Sequence, residues 1–253
     1  IGPDPASLNA ACIGGIVSNN SSGMVCGTEY NSYNTLDSIR FMLSNGHVYD
    51  SGVKGDSARF KYNEPKIFKV LLDIKETILN NKSLYNKIIN KYRIKNTIGY
   101  SMNSFIDYSD PLDIFSHLLV GSEGTLAFIS SVTLNTISDF EHKATGLIIY
   151  NNSSSACNFV TDFKDSGATA IEFLDDRSLK TAVNIHKPPY NSKNIEENFA
   201  GLLIEYQCEN EDELGLRVQT AEKILQKSNA LNISSGFSSD IYNREKLWKI
   251  RKG

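Results

Sequence analysis

Glycine, asparagine and serine residues cluster in a short stretch near the N-terminus, from Ile13 to Gly23. Glycine lets a ligand approach the backbone closely, and asparagine tolerates left-handed turns. Small hydroxyl groups and free backbone N–H groups suit a ligand that carries phosphate. An ordinary surface turn has a similar composition, so this stretch alone does not identify a ligand.

A second glycine-flanked turn, Gly121-Ser122-Glu123-Gly124, follows a predicted helix and precedes a predicted strand. Its glycines permit the close approach of a flat or phosphorylated ligand, although a plain helix-to-strand connector has the same pattern. The nucleophile elbow of serine hydrolases needs the order G-x-S-x-G at a strand-to-helix turn, which is not the arrangement here. The chain also contains no Walker loop and no G-x-G-x-x-G motif, so neither a P-loop nor a Rossmann nucleotide site is predicted.

Composition excludes several other kinds of site. The four cysteines and four histidines show neither C-x-x-C nor H-x-x-x-H spacing, so we predict no metal site within this chain. A net charge of -3 without clustered Lys and Arg excludes nucleic acid as a main partner. No apolar run approaches the roughly 20 residues that span a bilayer. Widely spaced thiols are typical of a reducing compartment, so we expect a cytoplasmic protein, or one peripheral at the inner face of the membrane.

The elements that position these motifs are predicted in two sets. Up to about residue 140, Asn45-Gly46 predicts a hairpin turn, Pro65 opens a helix, and Asp110 caps another helix that stops before Gly121. After residue 140 the strands and helices alternate in two successive β-α-β units, which predict a ferredoxin-like sheet. The predicted elements of this second part are strands at 144–150, 169–174, 200–207 and 231–237, and helices at 154–165, 175–183, 211–227 and 240–252.

Four ordered motifs carry a family resemblance. They are Ile1–Ser7, Ile13–Met24, Lys91–Tyr100 and Gly121–Leu126. Together they resemble the FAD-linked D-2-hydroxy-acid dehydrogenases, in the branch of the D-lactate and D-2-hydroxyglutarate dehydrogenases. The resemblance implies an α+β fold. Its first part, residues 1–140, would be the C-terminal part of a vanillyl-alcohol-oxidase-type FAD-binding domain, and residues 141–253 would be a ferredoxin-like substrate cap domain.

The resemblance also implies site residues. Residues of the first two motifs would line the FAD from its pyrophosphate toward its isoalloxazine ring: Asp4, Pro5, Ser7, Gly14, Gly15, Asn19, Asn20, Ser21 and Gly23. Glu123, Gly124 and Ile129 would hold the ribose and adenine end. Lys95 and Tyr100 either face the flavin or pack in the core. Arg251 would bind the substrate carboxylate, for which a guanidinium is suited because it forms two parallel hydrogen bonds.

The implied reaction is oxidation of a small D-2-hydroxy acid to the 2-oxo acid, with electrons passed to a quinone, a cytochrome or an iron–sulfur module. We expect the first pyrophosphate loop to lie upstream of Ile1. We also expect the catalytic base, with a divalent metal or iron–sulfur clusters, to lie downstream of Gly253. Two alternatives remain open at this point: the FAD subunit of a glycolate oxidase, and a non-catalytic FAD-binding module.

Overall fold

The structure is a computed structural model. It describes residues 1–5, 7–8, 10–23, 26–97, 99–186 and 195–250, with the backbone alone for residues 182–186. The chain divides into two compact units, Ile1–Ile137 and Ser138–Gly253. In the described part of the chain, no helix is both long and apolar enough to cross a membrane.

The first unit combines a small sheet with helices. Its helices are α1 (Ile13–Ser18), α2 (Ser32–Thr35), α3 (Asp56–Asn63), α4 (Pro65–Asn80), α5 (Lys82–Tyr92), α6 (Ser104–Asp107) and α7 (Pro111–Leu119), and its strands are β1 (Leu36–Met42), β2 (Val48–Asp50) and β3 (Phe128–Leu134).

Strand β1 is the centre of this sheet, in the order β2-β1-β3, and both pairings are antiparallel. The hairpin between β1 and β2 is confirmed, and Gly46 in its turn has a φ of 86°, which glycine adopts without a steric penalty. Strand β3 returns from far along the chain to pair with β1, so that Leu36 faces Leu134 and Met42 faces Phe128. This return places the turn before β3 beside the N-terminal motif.

Helix α7 brings the chain to that turn. Asp110 caps it as predicted, because its carboxylate accepts a hydrogen bond of 2.7 Å from the backbone N–H of Leu112. Nearly all of α7 is buried, and Phe115 packs against Phe41 and Phe60 in the core of the unit. The position of residues 120–124 is therefore fixed by core packing on the helix that precedes them.

The second unit is a sheet between two layers of helices. Its strands are β4 (His142–Tyr150), β5 (Ala170–Asp175), β6 (Ala200–Cys208) and β7 (Gly236–Ser238), and its helices are α8 (Ser153–Cys157), α9 (Val160–Asp165), α10 (Asp176–His186), α11 (Glu211–Lys227) and α12 (Ile241–Lys249).

The strand order of this unit is β5-β6-β4-β7, with antiparallel neighbours throughout. In chain order this is 2-3-1-4, the arrangement of a ferredoxin-like β-α-β-β-α-β sheet, so the predicted sheet is confirmed. Helices α8, α9 and α11 pack on one face, through Ala156, Phe163 and Leu214. Helices α10 and α12 cover the other face, through Leu179 and Leu247. Because both faces are covered, β4 and β6 are apolar over most of their length.

Two predicted elements of this unit were wrong in extent. The single helix predicted from Ser154 to Asp165 is broken after Cys157, where Phe159 turns its ring to stack on Tyr150. The serines and asparagines of this stretch are weak helix formers, so packing decides its course. The strand predicted from Leu231 begins only at Gly236.

Side-chain hydrogen bonds explain the shorter strand. The hydroxyl groups of Ser234 and Ser235 accept hydrogen bonds of 2.9 Å from the backbone N–H groups of Ile149 and Leu147. These bonds occupy backbone N–H groups of β4 that would otherwise pair with the carbonyl groups of a neighbouring strand. A serine-rich loop therefore covers part of the edge of β4. The strand β7 continues the sheet along that edge only from Gly236 to Ser238.

Candidate functional site

The two glycine-containing motifs of the sequence lie side by side in the first unit. The backbone N–H of Gly121 donates to the carbonyl of Val17 at 3.1 Å, and that of Glu123 donates to the carbonyl of Ser18 at 2.9 Å. The end of α1 and the turn between α7 and β3 are therefore one continuous backbone surface, although they are distant in the chain.

Side chains reinforce this junction. The Asn19 amide nitrogen donates to Glu123 Oε1 at 2.6 Å, and the Ser21 hydroxyl donates to Asn19 Oδ1 at 2.9 Å. Both Asn19 and Glu123 are exposed to solvent. A carboxylate held in this way presents its remaining acceptor positions outward, where a hydroxyl-bearing ligand could donate to them.

Left-handed backbone is concentrated at the same place. Asn20 has a φ of 47° and Glu123 a φ of 54°, and Gly121 and Gly124 have φ values of 87° and 73°. For a residue other than glycine this conformation costs about 1–3 kcal/mol, and such strain often accompanies a functional site. At Gly121 the space is also closed, because an added Cβ would lie 3.1 Å from the carbonyl oxygen of Gly99.

Gly14 and Gly15 lie in the first turn of helix α1 and not in a surface turn, although the composition of the stretch fits either. A Cβ added to Gly14 would have no neighbour within 4 Å, and one added to Gly15 would meet only the sulfur of Cys12, at 3.5 Å. Packing within the chain therefore does not require glycine at either position. Because these two residues have no side chains, the backbone here is open to a ligand.

Gly23 and the first residues of the chain have a different environment. A Cβ on Gly23 would collide with the carboxylate and the backbone carbonyl of Asp4. Pro5 and Ser7 form a tight turn, in which their carbonyl groups accept hydrogen bonds of 2.9 Å from the N–H groups of Leu8 and Ala11 respectively. In this part of the motif, the small residue at position 23 allows two chain segments to pack together.

Two buried polar atoms lie in the junction without a hydrogen-bond partner among the described residues: Asn20 Oδ1 and Ser122 Oγ. The other end of the Asn20 amide makes a long hydrogen bond of 3.4 Å to the carbonyl of Asn96. Ser122 is only 2% exposed. A hydroxyl that is buried and lacks a basic partner is not an activated nucleophile, which agrees with the exclusion of a serine hydrolase.

A polar cavity of about 250 Å³ adjoins Asn20. Its lining includes Tyr92 and Asn96 of the third motif, Ser101 and Asn103 of the segment that follows, and Asp107 at the end of α6. The Asp107 carboxylate accepts hydrogen bonds from Tyr33 at 2.7 Å and from Asn103 at 3.0 Å. Burial and this bond to the carboxylate raise the pKa of Tyr33, so its hydroxyl stays protonated and donates.

Two residues that were not singled out from the sequence, Thr125 and Tyr92, tie the third motif to the junction. The Thr125 hydroxyl donates to the carbonyl of Ser122 at 2.6 Å and also bonds to the Tyr100 hydroxyl at 2.8 Å. The Tyr92 hydroxyl donates to the carbonyl of Tyr100 at 2.8 Å and accepts from the N–H of Met102 at 2.9 Å. Thr125 and Tyr92 lie inside the quoted motifs, but only the fold shows that their hydroxyl groups join them.

The remaining predicted residues lie elsewhere. Ile129 is on β3, half-buried, where it packs against the core of the first unit. Arg251 lies outside the described residues. The structure therefore brings Asn19, Asn20, Ser21, Glu123 and Gly124 into one junction and places Asp4 against Gly23.

A second polar cluster, which the sequence analysis did not identify, is buried in the second unit. Glu205 on β6 is 3% exposed, and its carboxylate accepts hydrogen bonds of 2.7 Å from Thr145 and Gln207 and of 2.5 Å from the indole N–H of Trp248. An Arg244 nitrogen lies 3.8 Å from the same carboxylate. A glutamate inside the apolar run of a strand was the available sequence signal.

Across residues 1–250, leaving out those that the structure does not describe, no three His, Cys, Asp or Glu side chains are grouped as metal ligands would be. Cys12, Cys26, Cys157 and Cys208 all lie in described parts of the chain and are free thiols.

Two family models match the chain. Residues 1–52 match the model of an FAD binding domain, and residues 140–253 match that of FAD linked oxidases, C-terminal domain. Over 192 residues the chain is 21% identical to the D-2-hydroxyglutarate dehydrogenase of Haemophilus influenzae (strain ATCC 51907 / DSM 11121 / KW20 / Rd). This match covers 71% of the chain and 18% of the dehydrogenase.

Solved structures of alkyldihydroxyacetonephosphate synthase, in two crystal forms, resemble the chain with TM-scores of 0.57 and 0.56. The sequence identity is 13% in both, and the likeness covers 99% of this chain but only 39% and 38% of the synthase. At this identity the likeness concerns the fold alone. The family matches and this likeness confirm the vanillyl-alcohol-oxidase-type fold that the sequence predicted.

The matched domains imply FAD as the cofactor, and the geometry of the first unit fits it. Gly14 and Gly15 carry no side chain that would keep a flat or phosphorylated group away from the backbone, and the space where a Cβ would lie is open. The exposed carboxylate of Glu123 and the amide of Asn19 supply an acceptor and a polar surface for hydroxyl groups. The buried amide oxygen of Asn20, which has no hydrogen-bond partner among the described residues, is a further acceptor beside this surface.

Proposed function

We propose, because the chain belongs to the FAD-linked oxidase family, that it oxidises a D-2-hydroxy acid, D-lactate or D-2-hydroxyglutarate, to the corresponding 2-oxo acid. When bound, FAD supplies the redox chemistry of this reaction. The observation that carries the proposal is the junction of Asn19 with Glu123, which joins two motifs of the resemblance into one surface. The 21% identity to a D-2-hydroxyglutarate dehydrogenase supports the substrate class.

The residues of the first unit would hold the cofactor. We assign the pyrophosphate and the adjoining chain to the open backbone at Gly14 and Gly15, with Asn19, Asn20 and Ser21 beside it. The turn at Glu123 and Gly124 would hold the ribose hydroxyls, which a carboxylate accepts well. Asp4, Pro5, Ser7 and Gly23 would complete the wall, and Ile129 on β3 would contact the adenine end.

Arg251 would bind the substrate. A guanidinium grips a carboxylate with two parallel hydrogen bonds and keeps its charge at any physiological pH. The residue follows α12 by two positions in the sequence. Electrons would leave to a quinone, a cytochrome or an iron–sulfur module, and the free thiols favour a cytoplasmic location, or a peripheral one at the inner face of the membrane.

Flavin content and substrate preference test this proposal. The gene product that carries this chain is purified, reconstituted with FAD and assayed with an artificial electron acceptor against D-lactate, D-2-hydroxyglutarate and glycolate. We expect a flavin absorption band and a higher kcat/KM for one of the two D-acids than for glycolate or for the L-enantiomers. A protein without flavin after reconstitution contradicts the proposal. Glycolate as the best substrate points instead to a glycolate oxidase subunit, and bound flavin without turnover to a binding module.

A substitution of Arg251 tests the substrate role separately. Arg251→Lys keeps the charge but loses the fork, so we expect KM for the hydroxy acid to rise by about tenfold or more, which corresponds to about 1.4 kcal/mol per factor of ten. Arg177→Lys, at an exposed position at the start of α10, is the matched control and should leave KM unchanged. Equal KM values for both variants would remove Arg251 from the site.

A further inference from the structure

The buried carboxylate of Glu205 holds together three parts of the second unit. Its hydrogen-bond donors come from the central strand β4 (Thr145), from its own strand (Gln207) and from helix α12 (Trp248). Thr145 also faces Glu205 directly in the antiparallel pairing of β4 with β6. The two most buried strands of the sheet and the last described helix therefore meet at one side chain.

Apolar side chains also hold the end of α12 on this face of the sheet. Leu247 and Ile250 pack into the apolar cluster on this face, which supplies contact but little directional preference. The indole bond of Trp248, at 2.5 Å, does have a direction, because both its donor and its acceptor are fixed. Arg244, one turn earlier, adds a longer-range attraction from 3.8 Å.

Burial of a carboxylate is costly, and the cost bears on what Glu205 does. Transfer of the charged group from water is unfavourable unless donors compensate it, and a well-packed apolar side chain would often give equal or greater stability. What an ionic group adds to such a contact is a defined geometry. Here one of the donors that compensate the carboxylate of Glu205 is Trp248 on α12. The carboxylate therefore defines how α12 lies on the sheet.

We infer that Glu205 is a positioning residue, which fixes α12 on β4 and β6 through Trp248. Arg251 follows this helix by two positions in the sequence. The inference rests on the proposed function in one respect, the role of Arg251 in binding the substrate. Glu205 itself contacts neither substrate nor cofactor in this role. Removal of its charge should therefore loosen α12 and weaken substrate binding, while the flavin content stays unchanged.

Glu205→Gln, made in the FAD-loaded gene product, tests the inference with two measurements. Amide hydrogen exchange should become at least about tenfold faster in α12 and stay unchanged in α11, which packs on the other face of the sheet. KM for the hydroxy acid should rise by about tenfold, with a much smaller change in kcat. Glu222→Gln, exposed on α11, is the matched control and should alter neither quantity.

Trp248→Phe keeps an aromatic ring at this position, removes the indole N–H donor and leaves the other hydrogen bonds of Glu205, so it provides the same test if Glu205→Gln does not fold. It should also raise α12 exchange and KM together. Unchanged α12 exchange, or faster exchange with unchanged KM, would overturn the inference. If instead Arg251→Lys leaves KM unchanged, the proposed function of Arg251 fails, and this result is distinct because it does not alter the exchange of α12.

Discussion

The amide of Asn19 donates a 2.6 Å hydrogen bond to the carboxylate of Glu123, a residue 104 positions away in the sequence. The bond closes a junction that two backbone hydrogen bonds, to Val17 and Ser18, already hold. Since the pair is exposed, its contribution to the free energy of unfolding should be small. Its importance lies in the orientation that it gives to the carboxylate.

Substitution of Glu123 should affect FAD more than folding. Glu123→Ala removes the acceptor, and we expect the dissociation constant for FAD to rise by about tenfold while the free energy of unfolding of the apoprotein changes by less than about 1 kcal/mol. Glu123→Gln can still accept from Asn19 and should have a smaller effect. Fluorescence titration with FAD and urea denaturation give the two quantities. A fall in stability as large as the loss of affinity would contradict a binding role.

Two glycine-to-alanine substitutions should have opposite effects on stability. Gly121→Ala places a Cβ at positive φ and close to the carbonyl of Gly99, so it should destabilise the protein by about 1–2 kcal/mol. Gly14→Ala meets no neighbour and lies in α1, so it should be neutral or stabilise the apoprotein by up to about 1 kcal/mol. The same Gly14 variant should bind FAD more weakly. If it binds FAD as the wild type does, the backbone at Gly14 is not part of the site.

Cysteine labelling offers a test that does not depend on activity. Cys12 and Cys157 are exposed, whereas Cys26 and Cys208 are buried and burial raises the pKa of both thiols. A thiol reagent at mildly alkaline pH should therefore modify the first two rapidly and the other two slowly. Cys12 lies beside Gly15, so saturating FAD should slow its labelling by about fivefold or more without affecting Cys157. Equal protection of both, or of neither, would argue against FAD at this surface.

The pH dependence of stability should reveal His117. Burial lowers the pKa of this histidine below its usual value of 6.5, and its ring stacks on Tyr108 at a centroid distance of 3.8 Å. The folded state therefore favours the neutral ring. Its stabilising contribution should be complete above the unfolded pKa and be lost as the pH falls through the lowered folded pKa. Each pH unit between the two values costs about 1.4 kcal/mol.

His117→Gln should flatten this part of the profile, and urea denaturation between about pH 5 and pH 7.5 would measure it. His142→Gln, in the second unit, is the control and should retain the wild-type slope. A slope that is the same in all three proteins would mean that His117 titrates as it does in the unfolded chain.

Local signals predicted most of the elements and their limits. The Asn45-Gly46 turn, the cap at Asp110 and the ferredoxin-like alternation of the second unit are confirmed, because in each the residues that decide the conformation are close together in the sequence. The predictions of one helix from Ser154 to Asp165 and of a strand from Leu231 were wrong. A ring stack on Tyr150 and hydrogen bonds from the N–H groups of β4 to the hydroxyls of Ser234 and Ser235 compete there with local preference.

The candidate site was predictable only in part. Its motifs could be recognised from composition and resemblance, but no spacing rule shows that Asn19 reaches Glu123 or that Thr125 bonds to Tyr100. The donors around Glu205 were equally hidden, because register between β4 and β6 and the docking of α12 bring them together. Contacts of this kind depend on tertiary structure, which a single sequence does not encode in any local pattern.

The long return of β3 to β1 also bears on synthesis. At translation rates of about 5–20 residues per second, Glu123 leaves the ribosome about 5–20 s after Asn19. Once β2 has emerged and until β3 does, β1 has β2 as its one neighbour in the sheet, and α1 has no turn to receive its end until Glu123 is made. The nascent chain therefore exposes an unpaired strand edge for several seconds, together with Leu36, Ile39 and Phe41, which the folded unit buries. A chaperone that binds extended segments with apolar side chains would find its target at 36–42.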